Sequence, residues 1–233
     1  MRALLASVLL LSCPFQQAVA EIQPEYSPYV DDDFPNQVFF GDTHLHTSYS
    51  ADAGFVGTTL GPEEAYRFAL GEEITSSTGV RAKLQRPLDF LVIADHAENM
   101  GLAPLAMEGD PAILATDFGL EIHKLLKAGK GSVAFDRWRS ERASGKDPMA
   151  GESAAAQTVW RLITSAAEKY NDPGHFTAFI GYEWTSVPGG NNLHRNVIYR
   201  DGKDKADQVQ PFSAYDSEDA EDLWEWMAGY EAK

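Results

Sequence analysis

Short apolar runs alternate with helix-patterned stretches along this chain. Val38-Phe39-Phe40 reads as the start of a buried strand over residues 38–42, and it leads into His44-Leu45-His46. Residues 88–94 are continuously apolar apart from Asp89, which suits a strand buried on both faces, and they end in Asp95-His96. A third strand is expected over residues 176–182, running into Glu183. A fourth covers residues 194–199, with Val197 and Ile198 at its centre. Between these runs the period changes to that of a helix. Pro62 opens a helix over residues 62–70, with Glu63 and Glu64 in its first turn. Residues 111–128 carry Ile113, Leu114, Phe118, Leu125 and Leu126 before Gly129 and Gly131 end the segment. Residues 133–142 form a short helix with Trp138. The strongest helix pattern is residues 152–170, where Ala156, Val159, Trp160, Ile163, Ala167 and Tyr170 share one face. Asn171-Asp172-Pro173-Gly174 stops it. Ser217 caps a last helix over residues 218–229. Residues 47–60 and 71–86 read as loops. Buried strands alternating with helices predict an α/β fold with parallel pairing.

The first twenty residues stand apart. Arg2 precedes an apolar core over residues 3–11, too short to span a bilayer, and Ala18-Val19-Ala20 is a small-x-small cleavage site. Residues 1–20 are therefore read as a secretory signal peptide, which predicts export to the periplasm. The alternative is a lipoprotein anchored through Cys13, the only cysteine. Cleavage after Ala20 leaves no thiol for a disulfide or a cysteine-rich zinc site. Residues 21–36, including Asp31-Asp32-Asp33, form an irregular lead-in. The aspartates suit a solvated acidic loop better than a calcium loop, since no Gly and Glu follow at EF-hand spacing.

Composition narrows the partners. Of 233 residues, 44% are hydrophobic, which is enough for a core, and the formal net charge is −16. That charge argues against nucleic acid or an anionic membrane as partner. No transmembrane span is expected. A phosphate substrate remains compatible where metal ions supply local positive charge.

The candidate chemistry sits where the strands end. Residues two apart in an extended chain point to the same side, so His44 and His46 project together. Two ordinary surface histidines is the competing reading of that pair. His96 follows the second strand, Glu183 the third, and His194 borders the fourth. The carboxyl ends of parallel strands share a face, and that face carries the site. His194 needs a loop that returns it there. Imidazole and carboxylate without thiolate suit Zn, Mn or Fe. His123 and His175 read as surface residues.

The stretch Gly41-Asp42-Thr43-His44-Leu45-His46-Thr47-Ser48-Tyr49-Ser50, then Asp52, resembles the first motif of the PHP (polymerase and histidinol phosphatase) superfamily. Asp95-His96 resembles the second motif, Gly181-Tyr182-Glu183 the metal-bridging glutamate, and His194-Arg195-Asn196-Val197 the histidine before the next strand. Residues 86–98 and Asn191-Asn192-Leu193-His194-Arg195-Asn196 are closer still to one branch, domain-of-unknown-function family 3604. The resemblance implies a distorted (β/α)7 TIM-like barrel with up to three divalent ions. By motif, His44 and His46 hold the first ion, and Glu183 bridges it to a second bound also by His194. His96 holds a third with Asp52, for which a loop-capping aspartate is an equal reading. The family's later motifs, a further histidine and Asp-x-His, do not occur before Lys233. Residues 37–233 are accordingly expected to be the N-terminal portion of such a domain, with an unclosed barrel and an incomplete site.

The implied activity is metal-assisted hydrolysis of a small phosphorylated or other anionic substrate, with hydroxide activated between two ions. Glu183 and His96 are the catalytic candidates. Arg195 is the nearest arginine that could hold a phosphate, although strand alternation turns it away from His194. A barrel-exterior arginine is the competing reading. Trp184, Asn191 and Asn192 either shape a pocket or pack a loop. The ligand set does not separate a phosphoesterase from a hydrolase of amides or sulfate esters, from a non-catalytic metal- or ligand-binding module, or from a structural metal staple.

Overall fold

The alternating pattern folds as a mixed α/β protein, here in a computed structural model that describes residues 38–150 and 153–232. The expected signal peptide, Cys13 and the acidic lead-in lie outside the described residues. The chain runs through β1 (Gly41–Leu45), α1 (Ala51–Phe55), α2 (Pro62–Ala69), a small hairpin of β2 (Ile74–Thr75) and β3 (Arg81–Ala82), then β4 (Phe90–Ile93). Five helices follow: α3 (Leu102–Glu108), α4 (Pro111–Leu114), α5 (Asp117–Lys127), α6 (Gly131–Ala143) and α7 (Ser153–Tyr170). The remainder is β5 (Thr177–Phe179), β6 (Gly181–Ser186), a 3-10 turn at Pro188–Gly190, β7 (Leu193–Ile198), α8 (Lys203–Ala206) and α9 (Ala220–Glu231).

Parallel pairing is found for three strands, in the order β1-β4-β5. The third apolar run departs from expectation. It breaks at Ile180 into two strands, and β6 leaves the parallel sheet to pair antiparallel with β7. Gly181 permits the break: a Cβ there would lie 2.6 Å from the Val92 side chain and 2.9 Å from the Val197 carbonyl. The described residues form no closed barrel. The expected buried strand at Val38-Phe39-Phe40 is also corrected. The strand starts at Gly41, and the three residues are 71%, 50% and 54% exposed. Among the described residues β1 is an edge strand whose one partner, β4, begins its pairing at Gly41–Phe90, and no described strand covers what precedes it.

Local sequence explains the helices. In α2, Glu64 accepts from the Gly61 N–H at 3.1 Å behind Pro62, while Ala65, Tyr66 and Ala69 turn inward. The expected helix over residues 111–128 divides because Thr116 stops one segment and caps the next, accepting from Gly119 N at 2.9 Å. The last helix is capped by Asp219 rather than Ser217, with Asp219 accepting from Glu221 N at 2.9 Å. Both loops expected over residues 47–60 and 71–86 contain short elements, α1 and the β2–β3 hairpin.

Two apolar clusters result. One joins Tyr66, Leu91, Trp160, Ile163, Tyr182 and Trp184 between the strands, α2 and α7. The other packs Phe55, Leu102, Ile122 and Trp138 among α1, α3, α5 and α6. Gly54 is where α1 meets that second cluster. A Cβ on Gly54 would lie 2.3 Å from the Ser48 carbonyl and 2.7 Å from Ala103 Cβ. Gly54→Ala is expected to cost about 1–3 kcal/mol in urea unfolding, the usual range for overpacking. An unchanged midpoint would show that the loop before α1 yields freely.

Candidate metal centre

The carboxyl end of β1 does not continue as a regular strand. Its register against β4 shifts between Asp42 and Leu45, and Asp42 Oδ1 accepts from the His44 N–H at 2.8 Å. This bulge brings the His44 and His46 rings to a centroid separation of 5.0 Å. Thr47 then fixes the turn. Its N–H and hydroxyl both donate to buried Asp95, each at 2.6 Å. Burial pushes the Asp95 carboxyl up to about 6, against the opposing effect of these hydrogen bonds.

Glu183 is the centre of the cluster. It is buried in the middle of β6, and its side chain is fully inaccessible. Its Oε2 lies 3.1 Å from His44 Nε2, 2.9 Å from His46 Nε2 and 3.4 Å from His96 Nδ1. Its Oε1 contacts His194 Nδ1. Asp52, at the start of α1, lies 3.0 Å from His46 Nδ1 and 3.5 Å from His96 Nε2. Asp52 also accepts from Ser50 Oγ and from its neighbour's N–H at Ala53, each at 2.6 Å. It therefore caps the loop and faces the cluster at once.

In each of three groups the donor atoms lie within 4.8 Å of one another: His44–His46–Glu183, His46–Asp52–His96 and His96–Glu183–His194. Every residue expected to bind metal, namely His44, His46, Asp52, His96, Glu183 and His194, falls in at least one group. His194 arrives by the antiparallel pairing of β7 with β6, where it sits opposite Thr185. The returning loop expected for it is thus the hairpin connection of residues 187–192.

The cluster's groups shift one another's ionisation. Burial disfavours charge on His46, but Asp52 and Glu183 outweigh it and raise the imidazole from 6.5 to about 10. Burial also disfavours the Glu183 carboxylate, yet the surrounding histidines, His46 foremost, lower it to about 2. Asp52 moves down as well, its own burial being overcome by His46, His96 and Ser50. Both Glu183 oxygens and His46 Nε2 are buried without a hydrogen bond. Buried carboxylate and imidazole atoms gathered in this way could hold a cation. The donor set fits a divalent ion of the Zn, Mn or Fe kind.

The backbone around the cluster is held by a hydrogen-bond ladder. Glu183 N donates to the Asp95 carbonyl at 3.0 Å, and Ala97 N donates to the Glu183 carbonyl at 2.9 Å. One step along β6 that ladder is continued by side chains. Thr185 N donates to Glu98 Oε1 at 3.3 Å, and the Thr185 carbonyl accepts from Arg142 Nη2 at 2.6 Å. Glu98 Oε1 also accepts from Ala214 N at 2.9 Å. The Thr185 hydroxyl reaches His96 Nδ1 at 2.7 Å and His194 Nδ1 at 3.1 Å. Asn196, opposite Glu183, donates from Nδ2 to the Thr43 carbonyl at 2.7 Å and so ties β7 to β1. Thr185 had a readable signal, since it stands two residues after Glu183 and shares its face. Arg142 had none, because it comes from a helix far off in sequence.

Arg195 is not brought into the cluster. It is exposed, lies opposite Trp184, and its Nη1 donates to the His194 carbonyl at 2.7 Å. Trp184 is buried and donates to the Ser217 carbonyl at 3.2 Å, while Asn191 and Asn192 are exposed on the turn. His175 is exposed beside Asp172 at 3.2 Å. His123 is half-buried, with Nδ1 2.6 Å from the Ala106 carbonyl, so it is a packing residue more than a surface one.

Fold and site together define a mixed α/β protein with a buried histidine–carboxylate cluster that could hold metal ions. The chain belongs to the family described as "Protein of unknown function (DUF3604)", which matches residues 33–233. Comparison with curated proteins and with solved structures gives no match. No helix among the described residues is long and apolar enough to cross a membrane.

Proposed function

We propose that this chain carries the metal centre of an exported hydrolase of the PHP type, acting on a phosphoester. The observation that carries the reading is Glu183: a fully buried carboxylate whose two oxygens face the imidazoles of His44, His46, His96 and His194. A carboxylate placed in this way suits a bridge between two cations. The parallel β1-β4-β5 sheet, with His44, His46 and His96 at its carboxyl end, is consistent with part of a PHP-like barrel. Export rests on the residue 1–20 pattern alone.

Divalent ions bound here supply Lewis acidity and lower the pKa of water. The chain's own residues do the rest. His44, His46 and His96 present imidazole nitrogens to Glu183 Oε2, and His194 presents one to Oε1. Asp52 orients His46 through Nδ1. Asp95 holds the turn after His46 through Thr47. His44 is the most exposed member, its side chain 47% accessible, and marks the side from which substrate enters.

The test is metal analysis followed by assay on an aryl phosphate, with an aryl sulfate and an aryl amide in parallel. Wild-type protein is expected to bind divalent metal and to favour the phosphate. His44→Ala is expected to lose turnover while keeping its melting profile, because this exposed side chain contributes little to the core. Bound metal with hydrolysis of none of the three would sink the hydrolase reading and leave a binding module. Protein that takes up no metal would remove the centre altogether.

A further inference from the structure

We infer that the Thr185 hydroxyl is a positioning group that sets His96 and His194 as a pair and so controls loading of the ions those residues serve. The inference rests on the proposed metal centre and goes beyond its ligand set. Thr185 is 5% exposed, and its hydroxyl lies 2.7 Å from His96 Nδ1 and 3.1 Å from His194 Nδ1. A hydroxyl has one proton to donate and lone pairs to accept with. Its oxygen can accept from both Nδ1–H groups at once, which fixes the rotation of both rings and leaves each Nε2 as the nitrogen offered to an ion. These two histidines come from different places: His96 from the turn after β4, His194 from β7. Among the hydrogen bonds of this region, the Thr185 hydroxyl joins them directly.

The hydroxyl is itself held rigidly. β-branching restricts the Thr185 rotamer. Its N–H is anchored on buried Glu98 and its carbonyl on Arg142. The side chain therefore has a fixed base from both directions of the backbone. Its reach is also selective. The donor groups containing His96 or His194 depend on it, whereas the His44–His46–Glu183 group contains neither residue. The role is positioning, since the hydroxyl acts through the imidazoles.

Thr185→Val keeps the shape and removes the hydroxyl, and Thr185→Ser keeps the hydroxyl and removes the methyl. Each is loaded with Zn²⁺ or Mn²⁺, and stoichiometry and per-ion affinity are read by elemental analysis and calorimetric titration. Thr185→Val is expected to keep the ion of the His44–His46–Glu183 group at wild-type affinity. Ions at His96 and His194 should bind roughly ten- to a hundredfold more weakly, the range seen when a ligand's hydrogen-bond partner is removed. Thr185→Ser should restore wild-type loading.

Wild-type loading in Thr185→Val would overturn the inference, as would loss of all ions alike, which signals general damage. Failure of Thr185→Ser to load would overturn it too. If Thr185→Val does not fold, Thr185→Ala takes its place with the same expectations. If neither folds, the residue is structural and the inference falls. Metal-free wild type under loading conditions would overturn the metal centre and this inference with it. Loaded wild type with an unaffected variant overturns the inference alone.

Discussion

Glu183→Gln is expected to reduce metal loading to at most the one group that does not contain Glu183, His46–Asp52–His96. The substitution barely changes shape. It replaces a buried anion facing four imidazoles with a neutral amide that offers a donor where the cluster needs acceptors. A bridge between cations needs two carboxylate oxygens, and an amide has one. Elemental analysis after metal loading reads the stoichiometry directly. Any hydrolytic turnover should disappear with the lost ions. Full loading in Glu183→Gln would show that the carboxylate is not the shared ligand.

The same variant carries a pH signature in metal-free protein. Glu183 is lowered to about 2 in the fold from an ordinary value of 4.5. Its stabilising contribution is therefore present above 4.5 and lost as pH falls through about 2. His46 is raised to about 10 from 6.5. Its contribution is complete below 6.5 and lost as pH rises through about 10. Glu183→Gln should remove the acid limb and shift the alkaline limb to lower pH, because His46 keeps only Asp52. Urea midpoints of the chelated protein between pH 2 and 11 test this. An acid limb unchanged in Glu183→Gln would assign it to other carboxyls.

These residues were legible in the sequence for a physical reason. A candidate site gathered at strand ends leaves His, Asp and Glu just after apolar runs, as at His96 and Glu183. The helix of residues 153–170 was equally plain, since its apolar face keeps one period over five turns. What escaped was the partner of each strand. An apolar run specifies burial but not which neighbour buries it, so the break at Ile180 and the antiparallel β6–β7 pair could not be read off. Val38-Phe39-Phe40 failed in the opposite direction, being apolar but exposed ahead of β1. The roles of Glu98 and Arg142 escaped, although Glu98 stands in the 86–98 stretch, because an acid or a base completing a backbone ladder has no sequence period at all.

Glu98 yields the second large effect. Its Oε1 is the acceptor for two backbone N–H groups, Thr185 and Ala214, in a side chain 1% exposed. Glu98→Ala would leave both donors buried without partners, at about 1–3 kcal/mol each, with a cavity term added. A loss of roughly 2–6 kcal/mol is a large share of the ~5–15 kcal/mol that holds a typical domain. Glu98→Gln keeps the carbonyl acceptor and should fall within about 1 kcal/mol of wild type. Burial raises the Glu98 carboxyl, so its contribution is complete below the ordinary carboxyl range and lost as pH rises through the folded value. Glu98→Gln should therefore gain on wild type as pH increases, which equilibrium unfolding at pH 5 and pH 8 would read. The ladder at Thr185 also links this residue to the metal centre. Where Glu98→Ala remains folded, Thr185 is released on one side, and the ions at His96 and His194 should weaken before the ion at His44 and His46 does. Equal weakening of all ions, or wild-type stability in Glu98→Ala, would show that the carboxylate does not hold that strand.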